Sequence, residues 1–447
     1  MELKKVGVIS LGCDKNRVDT EKMLSFLKGK YELTADINEA EIVIINTCAF
    51  LESSRKEAIE EILSVAELKK TGKLEKIIVS GCLPQKFIGE IYDALPEADA
   101  FMGVSDYKKL TEVIERIYSG ERVNAVGIAR EEPTTERVLT TNNYAYIKIA
   151  DGCNNFCTYC LIPFIRGRYR SVPEADIIKE AKSLGDVKEL ILVAQDTTKY
   201  GCDLGGGENI VRLIRKLSAL ENIGSIRILY SYPENVTDEL IEEFVVNDKL
   251  IKYIDMPLQH ASDSVLKRMN RRGRKAEYLS LIEKMKERIP GIAIRSTFIA
   301  GFPGETEEEF DELKEFLNEA KFFNAGFFAY SREEGTAAYN FDNQTEEKEK
   351  KKRVKELYKT QKKISKENLK NFKGKTIAVT VDGFDDNSLL WYGRAYFNAP
   401  DIDGKVYFTI DRETKSRETK SGDKVNVKIL KTGDYDLFGT AEQDRRK

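Results

Sequence analysis

The sequence predicts an α/β protein in three parts: a doubly wound parallel sheet domain, a partial TIM-type (β/α)6 barrel and a small C-terminal antiparallel β-barrel. Three observations predict it. Short apolar runs alternate with helical patterns over residues 4–118, and the alternation resumes with six strand-like runs over 145–330. Beyond Gly374 the pattern turns to period-two alternation broken by Gly- and Asp-rich turns.

In the first part, the run from Lys4 reads as a buried strand ending at Cys13, followed by a helix with Met23, Leu24 and Leu27 on its apolar face. The unit repeats. A strand over 41–46 stops just before Thr47-Cys48 and leads into a helix carrying Ile59, Ile62, Leu63 and Ala66. A strand over 76–80 is followed by Gly81-Cys82 and a helix with Pro84 in its first turn. A fourth strand, 100–104, leads past Asp106, a capping candidate, into a helix over 107–118. Right-handed crossovers bring the carboxyl ends of such strands to one edge, where open parallel sheets bind ligands. Cys13, Cys48 and Cys82 all fall at that edge, which points to a metal site; the alternative is three small buried residues at strand ends. The domain takes residues 1–120, and polar residues 121–143, containing Glu131-Glu132-Pro133-Thr134-Thr135, read as a linker.

The second part, 144–344, opens on Cys153, Cys157 and Cys160, directly after a strand-like run over 144–150. Three thiolates this close repel one another unless a metal neutralises them. Structural zinc closes four positions, yet the nearest other cysteine, Cys202, lies 42 residues beyond Cys160, so three ligands leave one position open. A three-cysteine zinc loop and inert buried thiols are the alternatives. Cys202 is given no role.

Barrel strands are expected over 145–150, 189–196, 226–232, 253–256, 293–300 and 322–330, with helices starting near Pro173, Glu208, Thr237, Lys275 and Thr306. Chemistry in such barrels sits at the carboxyl ends of the strands. Those ends carry the cysteine triplet, Gln195-Asp196, Ser231-Tyr232-Pro233-Glu234, Pro257-Leu258-Gln259-His260, Gly301-Phe302-Pro303-Gly304-Glu305 and Ser331-Arg332-Glu333. His260, the single histidine, reads equally as a structural or a functional residue.

Residues 345–373 read as a charged, solvated connecting helix with a thin seam of Val354, Leu357 and Ile364. Strands over 376–381, 389–396, 405–410, 424–430 and 436–440 make the small barrel, 374–440, before a tail, 441–447. Trp391 and Tyr392 either fill its core, the commoner use, or anchor a contact.

Composition narrows the function. Of 447 residues 33% are charged, with net charge -3, so there is no global basic footprint for nonspecific nucleic-acid binding. The start does not read as a signal peptide and no run reads as a membrane span, so a cytoplasmic protein is expected. Seven cysteines, an odd number, fit a disulfide framework poorly, and one histidine excludes a histidine-rich metal site. A monomer is the default.

The spacing of Cys153, Cys157 and Cys160, with Tyr159 just before the last, resembles the signature of radical S-adenosylmethionine (SAM) enzymes. The resemblance implies a 4Fe-4S cluster on the three cysteines, SAM on its fourth iron, and reductive cleavage of SAM to a 5′-deoxyadenosyl radical. The order of parts resembles the methylthiotransferases over essentially the whole chain; their terminal module is called TRAM. This implies a second 4Fe-4S cluster on Cys13, Cys48 and Cys82. It also implies that one SAM methylates sulfur on that cluster while another gives the radical that opens a substrate C–H bond. A sulfur donor and an electron donor then come from outside. Tyr159, near the adenine, Gln195 and Arg295 are the candidate SAM contacts.

Branches of that family modify either a tRNA adenosine or an aspartate of the small-subunit ribosomal protein twelve. The stretches 11–21, 46–50 and 257–262 are similar to the ribosomal-protein branch. The tRNA branch usually has Gln-Met where this chain has Asp14-Lys15, and Ser-Gly where it has His260-Ala261. Residues 374–440 hold ten Lys/Arg against eleven Asp/Glu, a balance that suits a basic protein partner better than RNA. The expected partner is that ribosomal protein, with no nucleic acid as substrate. On this view deletion of the terminal barrel spares SAM cleavage while abolishing substrate modification. A tRNA methylthiotransferase, another radical-SAM activity and a non-enzymatic iron-sulfur scaffold are the competing readings.

Overall fold

The computed structural model describes residues 3–128, 136–410 and 419–442. Residues 129–135 of the expected linker and 443–447 of the tail lie outside the described residues. The first sheet contains β1 (Lys5–Ser10), β2 (Glu32–Thr34), β3 (Ile42–Thr47), β4 (Lys76–Gly81), β5 (Ala100–Met102) and β6 (Val123–Ala125), ordered β2-β1-β3-β4-β5-β6 and parallel throughout. Its central strand β3 is buried at every position, as a strand covered on both faces requires. Helices α1 (Asp14–Leu27), α2 (Glu52–Thr71), α3 (Cys82–Ala94) and α4 (Leu110–Tyr118) follow β1, β3, β4 and β5.

Three details differ from the sequence reading. Strands β2 and β6 were not anticipated, because three residues each are too few for a periodicity, and β6 falls in the stretch read as linker. Asp106 does not cap α4; its carboxylate accepts the amides of Gly103 and Gly127 at 3.0 and 2.8 Å, tying the end of β5 to the segment after β6.

The second sheet contains β7 (Tyr144–Lys148), then, after the short antiparallel pair β8 (Ala150–Asp151) and β9 (Arg170–Ser171), the strands β10 (Glu189–Val193), β11 (Ile226–Ile228), β12 (Leu250–Asp255), β13 (Ala293–Ala300) and β14 (Asn324–Ala329). Its order is β14-β13-β12-β11-β10-β7, all parallel and open between β14 and β7. Five helices pack outside: α5 (Glu174–Ser183), α6 (Ile210–Ser218), α7 (Asp238–Val246), α8 (Lys275–Arg288) and α9 (Glu307–Ala320). Asn209, Thr237 and Thr306 each accept a backbone N–H at a helix start, and Thr306 forms a capping box with Glu309.

The charged helix α10 (Glu347–Lys370) is not a solvated connector. Leu357 and Ile364 enter the core of the partial barrel, and Gln361 donates to the Phe322 carbonyl at 2.9 Å. Only its outer face is exposed, while its buried face includes the charged Lys350 and Arg353, which is why composition alone misplaced it.

Strands β15 (Thr376–Asp385), β16 (Leu390–Arg394), β17 (Val406–Thr409), β18 (Lys424–Thr432) and β19 (Leu437–Glu442) close a barrel ordered β15-β16-β17-β19-β18. It is antiparallel except at β17 and β19, which pair parallel and seal it. Its core is continuous with the concave side of the second sheet: Val379, Val381, Phe397 and Phe408 cluster with Tyr146, Ile191, Val193, Leu229 and Tyr253. Trp391 is half-buried against that core and edge-on to Phe384 at 5.3 Å. Glu189 crosses the seam, 2.5 Å from Arg227 and 2.6 Å from Arg394.

Candidate active site

The structure brings Cys13, Cys48 and Cys82 to one sheet edge. Cys13 is the N-cap of α1, Cys48 follows β3, and Cys82 opens α3 after β4. The Cys13 and Cys82 sulfurs lie 3.9 and 3.8 Å from Asn16 Oδ1. Gly12, at φ +92°, lets its loop pass Cys48; a Cβ there falls 2.7 Å from Cys48 Cβ. Burial, then the neighbouring Cys13, pushes the Cys48 thiol up; burial pushes Cys82 up to about 12, against the pull of Arg166. Such thiols ionise only with a cation to neutralise them.

The second set lies in the loop between β8 and β9. The Asn155 amide points at the Cys153 sulfur at 3.4 Å, and Cys157 Sγ is 3.4 Å from the Tyr232 hydroxyl. The Arg271 guanidinium lies 3.8 Å over the Tyr232 ring. Burial, then the neighbouring Cys157, pushes Cys160 up; burial also raises Cys153.

Two links join the sets. The residues just past β11 touch both: Tyr230 contacts Asp14 through its hydroxyl at 2.9 Å, next to Cys13, while Tyr232 reaches Cys157. Below them runs a buried ion network. Lys148 pairs with Asp19 at 2.6 Å and Asp151 at 3.1 Å; Arg166 pairs with the same two carboxylates at 3.0 Å each. Arg166 also donates to Asn16 Oδ1 at 2.7 Å and lies 3.9 Å from the Cys82 sulfur. Burial opposes ionisation of Asp151, but Arg166 and Lys148 outweigh it and hold that carboxyl well below the usual range. Further out, Arg137 contacts Glu21 and pairs with Glu180 at 2.8 Å.

Gln195 stands just past β10, its amide donating to Asp151 at 3.0 Å. Arg295 faces the concave side, but its guanidinium is engaged by Asp255 at 2.8 Å and Asp403 of the terminal barrel at 3.5 Å. Tyr159 packs beside Val265, Met269, Phe302 and Tyr330. His260 is fully buried: its Nδ1 accepts the Ser262 amide at 3.0 Å and its Nε2 lies 3.4 Å from Glu305. Glu305 in turn accepts the Gly301 and Phe302 amides at 2.9 and 3.2 Å and pairs with Arg353 of α10 at 2.6 Å. His260 is therefore part of the brace under the 301–305 loop. Cys202 is exposed and outside both sets.

The sequence reading missed Asn16, Asp19, Lys148, Arg166 and Arg353. One signal existed for two of them: Lys148 stands between Ile147 and Ile149, and Arg166 follows the apolar run Leu161-Ile162-Pro163-Phe164-Ile165.

The residues present fit two iron-sulfur centres and SAM. Each set offers three thiols, the ligand type that holds iron-sulfur clusters, and three thiols on a four-iron cluster leave one iron free for a further ligand. At the barrel mouth the buried Gln195 Oε1 and Ser231 Oγ have no hydrogen-bond partner, which a polar ligand supplies.

Residues 147–317 match the radical SAM superfamily, residues 5–103 the uncharacterised protein family UPF0004, and residues 374–441 the TRAM domain. The fold also resembles the cobalamin-dependent SAM radical enzyme OxsB, with TM-score 0.52 and 13% identity over 80% of this chain and 56% of that one, a likeness of fold alone. Fold and site together define a radical SAM enzyme with a second cysteine centre and a terminal β-barrel. The chain is 46% identical to the ribosomal protein uS12 methylthiotransferase RimO of Thermoanaerobacter sp. (strain X514), over 98% of this chain and 100% of that one. It is 45% identical to the protein of the same name from Clostridium botulinum (strain Hall), over the whole of both chains, and 44% to that of Acetivibrio thermocellus, over 99% and 100%. The chain belongs to the RimO family of radical SAM methylthiotransferases, and its cofactors are SAM and two 4Fe-4S clusters.

Proposed function

We propose that the chain adds a methylthio group to the β carbon of an aspartate in ribosomal protein uS12. The observation that carries this reading is the full-length similarity to RimO proteins in a chain that joins two thiol sets through one strand end. Cys153, Cys157 and Cys160 hold the cluster that takes SAM, and Cys13, Cys48 and Cys82 hold the auxiliary one. When bound, these groups supply the methyl group, the sulfur and the radical chemistry.

The chain's own residues position and shield. Tyr232, held under Arg271, orients the Cys157 thiolate through its hydroxyl. Gln195 and Ser231 offer their free polar atoms to the polar ends of SAM, and Tyr159 closes the apolar side. Arg295 acts indirectly, locking the terminal barrel against the concave face. The Lys148–Asp19–Arg166–Asp151 network fixes the distance between the two sets and fills the space where water would enter. No acid-base pair is needed, since an unactivated C–H bond is not opened by a side-chain base.

The partner is the small-subunit ribosomal protein, with electron and sulfur donors from outside, and the chain acts as a monomer in the cytoplasm. Among the described residues no helix is long and apolar enough to cross a membrane. Iron content tests the site assignment. A triple Cys→Ala variant in either set should lose one cluster's iron and its spectrum; loss of both from one triple variant, or of neither, contradicts it.

A further inference from the structure

Lys15, two residues after Cys13 in the first turn of α1, is 6% exposed. Its ammonium lies 3.3 Å from the centre of the Tyr230 ring. Among the described residues no carboxylate pairs with it, because the nearby acids are taken. Asp14 accepts the Tyr230 hydroxyl, Asp19 binds Lys148 and Arg166, and Asp255 binds Arg295 and the Tyr230 amide. The other buried cations along this interface, Lys22, Arg137, Lys148 and Arg166, all have carboxylate partners. An aromatic face offsets only part of the cost of desolvating an ammonium.

The surroundings are built rather than incidental. Tyr230 holds φ +60°, a strained value for a bulky residue, of the sort retained at functional positions. The strand end that carries it reaches the Cys157 sulfur two residues later. Lys15 thus stands where both thiol sets meet. The lumen is open on the β13–β14 side, where Thr297 and Ile299 are half-buried and Phe328 is 49% exposed.

We infer that Lys15 is the receptor for the carboxylate of the aspartate being modified, an inference that rests on the proposed aspartate substrate. An ammonium–carboxylate hydrogen bond is charge-assisted and short. Holding that carboxylate beside Cys13 places the adjacent β carbon between the two sets, and a site built for a charged partner rejects the neutral analogue.

The test is the affinity of the reconstituted holoenzyme for uS12 and for a uS12 variant with Asn at the modified position. The wild-type enzyme should bind the aspartate form roughly tenfold or more tighter. Lys15→Met should bind the two forms alike, and Lys15→Arg should keep part of the preference. Because Lys15→Met removes a buried charge that lacks an anion, it should also melt higher than wild type; a lysine kept only for its aromatic contact would give a lower melting temperature. Equal binding of both forms by wild type, or an undiminished preference in Lys15→Met, overturns the inference. If wild type transfers no methylthio group to uS12 at all, the parent reading fails instead.

Discussion

Arg166 and Asn16 meet at 2.7 Å between the two cysteine sets, and both touch Cys82: Asn16 Oδ1 at 3.8 Å, Arg166 Nη2 at 3.9 Å. Asn16 belongs to the helix that Cys13 caps, while Arg166 follows Cys160 by six residues. One hydrogen bond thus couples the loop of one set to the helix of the other.

Removing Arg166 leaves the buried Asp19 and Asp151 to share Lys148, the one other cation seen to pair with them among the described residues. Arg166→Met should destabilise the protein by about 3–5 kcal/mol, the cost of an uncompensated buried charge. Chemical denaturation checks this, and an unchanged midpoint would show that the network is not structural.

The Glu189 seam predicts a pH dependence. Burial pushes its carboxyl up, but Arg227 and Arg394 outweigh that and hold it below the usual value. A folded value below the unfolded one, about 4.3, means that this stabilisation is complete above the unfolded value. It is lost as pH falls toward the folded one. Trp391 fluorescence or proteolysis within residues 374–442 should report loosening of the terminal barrel in that acid window. Glu189→Gln should already be loosened at neutral pH and should lose the acid step.

Gly301 sits at φ +74°, where a Cβ would fall 2.4 Å from Lys350 Cγ of α10. Gly301→Ala should cost about 1–2 kcal/mol for the backbone alone and displace the 301–305 loop, weakening SAM binding measured by calorimetry. Adding Lys350→Ala should restore part of the affinity, since it removes the closest contact but leaves the residue 350 Cβ at 3.1 Å and the backbone strain.

The shared core changes what deletion of the terminal barrel should do. The sequence reading expects SAM cleavage to survive, but removing residues 374–442 uncovers Tyr146, Ile191, Val193 and Leu229. The truncated chain should lose SAM cleavage together with substrate modification, and full retention of cleavage would show that the partial barrel stands alone.

Both thiol sets were legible: Cys153, Cys157 and Cys160 through their own close spacing, and Cys13, Cys48 and Cys82 because strand alternation fixes which edge a cysteine lies on, whatever the side-chain detail. The ion network was not. Asp19 and Arg166 are 147 positions apart, and no local pattern says that a charged residue in an apolar setting has a distant partner. The misreading of α10 has a related cause: its buried face includes Lys350, Arg353 and Gln361, which composition counts as solvent-facing. His260 was undecidable from sequence because its meaning depends on Glu305, which lies 45 positions away.

The central claim is tested most directly by the intact mass of uS12 after anaerobic incubation with reconstituted enzyme, SAM and a reductant, beside a tRNA control. The account predicts a methylthio gain on one aspartate of the protein and none on the tRNA. An unmodified protein beside a methylthiolated adenosine would contradict it.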